Sequence, residues 1–247
     1  MKASVSPWAI FAAVGLAVIS TIPASGQDVL VLTNGQRREA KITGIDGDKI
    51  KFKAGPVESS LPLAQIQSVT MEAPKEFQQA LEKWQAGDAA GTLKILTPLV
   101  TTFRKVPAPW AELASALLGE VLIANGDVAG AEKAFADFQA AYPQATGLAD
   151  LGLALLAIEK GDFTAADAKA RPVAEQARKT LLADSAKGAE FGQALYIMGA
   201  VEENAGNLPE ALDNYLLVTT VFYSDAATAD KARQRAEALA KKNVNVP

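Results

Sequence analysis

The chain has 247 residues, 49% of them apolar, a formal charge of −4, and neither cysteine nor histidine. That is enough length and apolar content for one or two cores. The missing residue types exclude disulfides, thiol nucleophiles, imidazole bases and the usual zinc sets.

The chain opens with a single cation, Lys2, and an apolar run from Trp8 to Ile19, followed by Pro23 and small residues at Ala24 and Gly26. The pattern predicts a signal peptide over residues 1–26, cleaved after Gly26. The run is short for a membrane span. An exported mature chain with no span is expected, periplasmic or secreted. Removing Lys2 takes the charge from −4 to −5. An acidic chain lacks the cation surplus that nonspecific nucleic-acid binding requires, so no nucleic-acid partner is expected.

Residues 27–72 have the period of strands. "DVLVL" precedes Asn34-Gly35, a strong hairpin signal. "REAKITGI" alternates up to the turn Asp46-Gly47-Asp48. "KIKFK" places Ile50 and Phe52 on one side and three lysines on the other. After Gly55-Pro56 come "VESSLPL", a short "LAQ" step and "IQSVTM". Five short strands with open edges are expected to curl into a small barrel. Their order, with a long second strand and a brief helical step before the last, resembles Sm-like or SH3-like barrels. Asp46 and Asp48 lack further acidic ligands at the spacing of a calcium loop and read as a hairpin turn. The basic residues between Arg37 and Lys53 are balanced by nearby acids and read as a solvated face.

Beyond Met71 the period becomes helical, and residues 73–247 form hairpins of helices. Four turns recur at Gly87-Asp88, Gly126-Asp127, Gly161-Asp162 and Gly206-Asn207. Their glycines lie 39, 35 and 45 residues apart. Gly119, Gly199, Ala80 and Ala154 stand seven residues before the turn glycines, where a small residue lets two helices approach closely. Ala131, Ala166 and Ala211 follow five residues after, with Thr92 in the first unit. Phe135 and Tyr215 come four residues later, as fillers between hairpins. Asp127, Asp162 and Asn207 each read as a helix cap, and Asn207 with Glu210 has the spacing of a capping box. Hairpins of this kind cannot bury their apolar faces singly and are stable only when stacked. The charged, alanine-rich stretch 225–242 reads as a capping helix.

The stretches "LLGEVLIANGDVAGAEKAFADFQAAYP" and "LYIMGAVEENAGNLPEALDNYLLV" resemble tetratricopeptide repeats. The fold class expected is α+β multidomain: a five-stranded barrel, then an all-α helical-repeat solenoid. The resemblance implies that the first helices of the hairpins line a groove for a protein or peptide partner. Carried over by position, that groove includes Trp84, Glu120, Ile123, Tyr196, Glu203 and Asn204, together with Phe77, Leu81, Leu155 and Ile158. Leu155 and Ile158 read first as core, and Phe77 and Trp84 alternatively as packing against the sheet.

No enzyme is expected. Ser59-Ser60 has no base in its strand, and Glu202 and Glu203 point about 100° apart on a helix. Ser185-Ala186-Lys187 lacks the partners of a Ser-Lys site. No catalytic residue, metal ligand or cofactor is assigned. The function expected is a noncatalytic scaffold or adaptor in a bacterial envelope. The alternative is a module that binds a cell-wall polymer through the exposed side of "KIKFK".

Overall fold

A computed structural model describes residues 28–180 and 187–246. The expected leader, 1–26, and Ser185-Ala186 lie outside the described residues. The architecture is α+β, a five-stranded antiparallel sheet followed by nine helices among the described residues. The chain divides into two compact units, one ending at Gly152 and the other beginning at Leu153.

In the first unit the strands are β1 (Asp28–Leu32), β2 (Arg37–Asp46), β3 (Lys49–Ala54), β4 (Val57–Pro62) and β5 (Ile66–Thr70). Their order is β4-β3-β2-β1-β5, every neighbouring pair antiparallel. The sheet does not close: β4 and β5 are free edges, so the expected barrel is an open sheet. The reason lies in what each strand has to bury. Glu58, Ser59 and Ser60 of β4 are exposed and contribute no apolar inner row. The inner faces of the other strands are covered by helices instead. Leu30, Ile42, Ile50, Phe52 and Val69 share one core with Phe77, Leu96, Val100 and Trp110. A sheet with a helical lid has no need to wrap onto itself to hide its apolar side.

Helices α1 (Lys75–Gln85), α2 (Ala89–Phe103), α3 (Pro109–Ala124) and α4 (Val128–Ala141) form the first two hairpins, each helix packing on the next. The sheet packs on α2 through β2, and one contact is especially close. Gly44 sits at a bulge in β2 with φ +143°, and the last turn of α2 lies directly over it. Beyond α2, Lys105 adopts a left-handed φ of 77°. Its N–H donates to the Tyr142 hydroxyl at 2.9 Å, and its Nζ reaches Asp48 in the β2–β3 turn at 2.7 Å.

Tyr142 is buried against Phe138. Burial pushes its hydroxyl up to about 12, opposed by hydrogen bonds with Ser115 and Lys105. A phenol raised from 10 in this way favours folding while neutral, below pH 10, and that preference disappears as pH climbs towards 12. Stability is therefore expected to fall by about 2 kcal/mol between pH 9 and pH 11.5 from this group, and Tyr142→Phe should remove that share. Urea titrations of both proteins across the range check it; parallel alkaline losses would refute the assignment.

The second unit continues the hairpins. Helix α5 (Asp150–Glu159) leads into α6 (Phe163–Thr180), and α7 (Gly188–Asn204) pairs with α8 (Leu208–Thr220). Helix α9 (Ala226–Ala240) packs on α8 and also touches α7. All four turn glycines have φ between 75° and 84°, the left-handed end that closes a helix. Asp88, Asp127 and Asp162 cap the following helices by accepting from the N–H of Gly91, Gly130 and Ala165 at 2.8, 2.8 and 3.0 Å. Asn207 does not. Its amide donates to Glu202 at 2.8 Å, so the expected capping box does not form. Pro209 supplies no N–H in the first turn, and Glu202 one turn back competes for the side chain.

The repeating unit proves to be a pair of hairpins. Hairpins one and three each carry a proline eleven residues after the turn glycine, Pro98 and Pro172, and an arginine seventeen after, Arg104 and Arg178. Hairpins two and four share Gly119 and Gly199, and their rings Phe135 and Tyr215 pack on those glycines alike. A Cβ added at either glycine would stand 2.4 Å from the ring. Spacings of 39, 35 and 45 look irregular singly. Taken in pairs they give 74 and 80, and the side-chain pattern alternates with them.

Candidate functional site

The first helices of the hairpins present the expected partner-binding residues in two groups, one per unit. In the first unit Phe77 is buried, 5.9 Å from the Trp110 ring, and Leu81 and Trp84 pack against the shared core from its margin. Trp84 is half-buried, held by apolar neighbours while its remaining surface faces outward. Glu120 and Ile123 are half-buried on α3. The Glu120 stem lies beside Gly152, where an added Cβ would come within 3.0 Å of its Cγ.

In the second unit the group is polar. Tyr196 and Glu203 are half-buried on α7, and Asn204 is exposed in the last residue of that helix. The Tyr196 ring lies 5.9 Å from Tyr215 of α8. Glu203 accepts from the Tyr215 hydroxyl at 3.2 Å and from Arg235 Nε of α9 at 3.0 Å, and pairs with the Arg235 guanidinium at 2.7 Å. Burial holds both tyrosines above their ordinary range. Burial also works against the charge of Arg235, but Tyr215 and Glu203 raise its pKa overall.

Glu203 is thus the tie between α7, α8 and α9, with its oxygen engaged internally. Asn204 and the open face of Tyr196 are the parts of this group turned to solvent. Sequence reasoning missed Tyr215 and Arg235 as members. Tyr215 reads as a packing residue, and Arg235 stands among many charges of a capping helix with no signal to mark it.

Neighbouring Glu202 turns away, to Asn207 and to Arg171 at 3.6 Å, as adjacent positions on a helix require. Ser59 and Ser60 lie exposed on the edge strand β4. Asp46 faces Lys51 at 3.8 Å and Asp48 bonds Lys105, so the β2–β3 turn spends its carboxylates on local cations. Among the described residues no group of three or more His, Cys, Asp or Glu side chains is arranged to hold a metal ion. No helix among them is long and apolar enough to cross a membrane. No family model, curated protein or solved structure matches the chain.

Proposed function

We propose that the protein is a noncatalytic scaffold that binds a protein or peptide partner through the first-helix faces of tetratricopeptide-like hairpins, and that it works after export to the cell envelope. The observation that carries this reading is the repetition itself. Four hairpins use the same left-handed glycine turn, three of them with an aspartate cap, and the second and fourth set a glycine of the first helix against a ring of the second. Folding is served by the buried faces of these helices. Trp84, Ile123, Tyr196 and Asn204 are kept at or near the surface instead, where a partner can reach them.

The test is affinity capture of tagged residues 27–247 from a crosslinked envelope extract, beside an Asn204→Arg, Tyr196→Ala variant. Glu203 is left intact because its loss would strand Arg235. A discrete protein recovered by the parent and lost by the folded variant is the expected result. Recovery of wall fragments alone would transfer the function to the sheet and its lysine-bearing strand β3.

A further inference from the structure

Each unit carries a cleft on the side of the second helices, and the two clefts occupy the same repeat positions. In the first unit it opens between α2 and α4 over α3, with a volume of about 240 Å³. Its floor is apolar, from Val100, Leu118 and Leu122. Arg104 and Lys133 stand at its rim, and both bond the same oxygen of Asp137, Lys133 at 2.9 Å. In the second unit the cleft opens between α6 and α8 over α7. Counted from the turn glycines, Met198 replaces Leu118, Glu202 replaces Leu122, Glu210 replaces Gly130 and Asp213 replaces Lys133. Arg178 keeps the place of Arg104 and crosses to Asp213 at 2.8 Å and Asn214 at 2.7 Å.

The element common to both is an arginine from one second helix joined to a carboxylate on the next. That link serves the stack, and it is present twice. What surrounds it has inverted. The first cleft has two cations around one carboxylate and a leucine floor; the second has carboxylates at three positions where the first has leucine, glycine and lysine, and with Glu175 its four carboxylates outnumber its two cations, Arg171 and Arg178. Two clefts of shared position and opposite sign cannot take the same occupant, because a like charge brought against either rim is repelled.

We infer that the first-unit cleft is a second binding surface, for a protein segment that carries a carboxylate beside an aliphatic side chain. The aliphatic group rests on Val100, Leu118 and Leu122, and the carboxylate meets Arg104 and Lys133, which hold one positive charge more than Asp137 neutralises. The volume suits one or two side chains and is below that of most small-molecule sites. The surface is separate from the first-helix faces, so neither reading depends on the other.

Fluorescence anisotropy with the full mature chain tests it, using labelled synthetic peptides of about twelve residues that alternate leucine pairs with glutamate, and the same peptides with glutamine for glutamate. The glutamate peptide is expected to bind about tenfold more tightly than its glutamine counterpart, with a steep loss on adding salt. Lys133→Asp, at a side chain 77% exposed, should leave folding intact and remove that preference. A Leu122→Glu, Lys133→Asp variant, which carries two of the second cleft's carboxylates into the first and leaves the Asp127 cap on Gly130 intact, should abolish binding of the glutamate peptide. Lys231→Asp, the same charge reversal at an exposed residue of α9 outside the cleft, should leave it unchanged. Equal binding of both peptides, or full binding by the Lys133→Asp protein, would overturn the inference.

Discussion

Replacing Gly119 by valine is expected to lower stability by about 3 kcal/mol, a fall in Tm of about 6–12 °C for a chain of this size. Gly119 lies on α3 with the Phe135 ring of α4 pressed against its Cα. A Cβ there would stand 2.4 Å from the ring, less than any real contact allows. The ring has little room to retreat, because Gly152 also packs on its tip and a Cβ at that position would come within 2.7 Å of Cζ. Phe135 is thus held between two glycines, one in its own hairpin and one in the next, and is 1% exposed. Widening either contact means moving a helix. The clash is with a side chain, so it should be relieved by shrinking the ring. Gly119→Ala combined with Phe135→Leu is expected to cost less than the sum of the two changes, a coupling readable in a double-mutant cycle. A Gly119→Val protein that melted with the parent would mean that this contact does not hold the hairpin together.

The second large effect is expected at Gly44, where no such rescue exists. A Cβ at Gly44 would lie 2.9 Å from the carbonyl oxygen of Thr102, and the backbone has φ +143°, which side chains rarely adopt. Strain and clash together predict a loss of about 2–4 kcal/mol for Gly44→Ala. The nearest obstacle is backbone in the last turn of α2, with the Thr102 Cγ2 at 3.0 Å beside it, so trimming Thr102 to alanine should leave the carbonyl clash and the backbone strain in place. The sheet and α2 should separate locally, exposing the core that Trp110 shares with Phe77 and Phe103. A red-shifted tryptophan emission below the global transition would report this. An alanine variant with unchanged emission and melting would show that the sheet does not depend on this contact for its seat.

The pair of glycines shows where reading the chain succeeds. Gly119 was recognisable because it stands seven residues before a Gly-Asp turn, a position repeated at Gly199. Gly44 carries no such mark. It looks like any residue of an alternating strand, and its constraint comes from a helix end some sixty residues away in sequence. The same contrast separates the candidate site residues. Tyr196, Glu203 and Asn204 are candidates carried over by position from the resemblance to tetratricopeptide repeats. That Glu203 is consumed by Tyr215 and Arg235, leaving Asn204 outward, depends on the α7–α9 approach and leaves no local pattern.

By itself the sequence determined the order of a β-rich region and paired helices, the four turns, the caps at Asp127 and Asp162 and the small residues at helix contacts. Each follows from chemistry within a few residues: left-handed glycine, a carboxylate beside free N–H groups, periods of two and 3.6. Only the tertiary structure decided that the sheet stays open, that Asn207 bonds Glu202 rather than its own helix, and that two clefts of opposite charge occupy matching places. Those outcomes are set by competition between groups distant along the chain. Closure of the sheet lost to the covering helices, because the same apolar face can be buried only once.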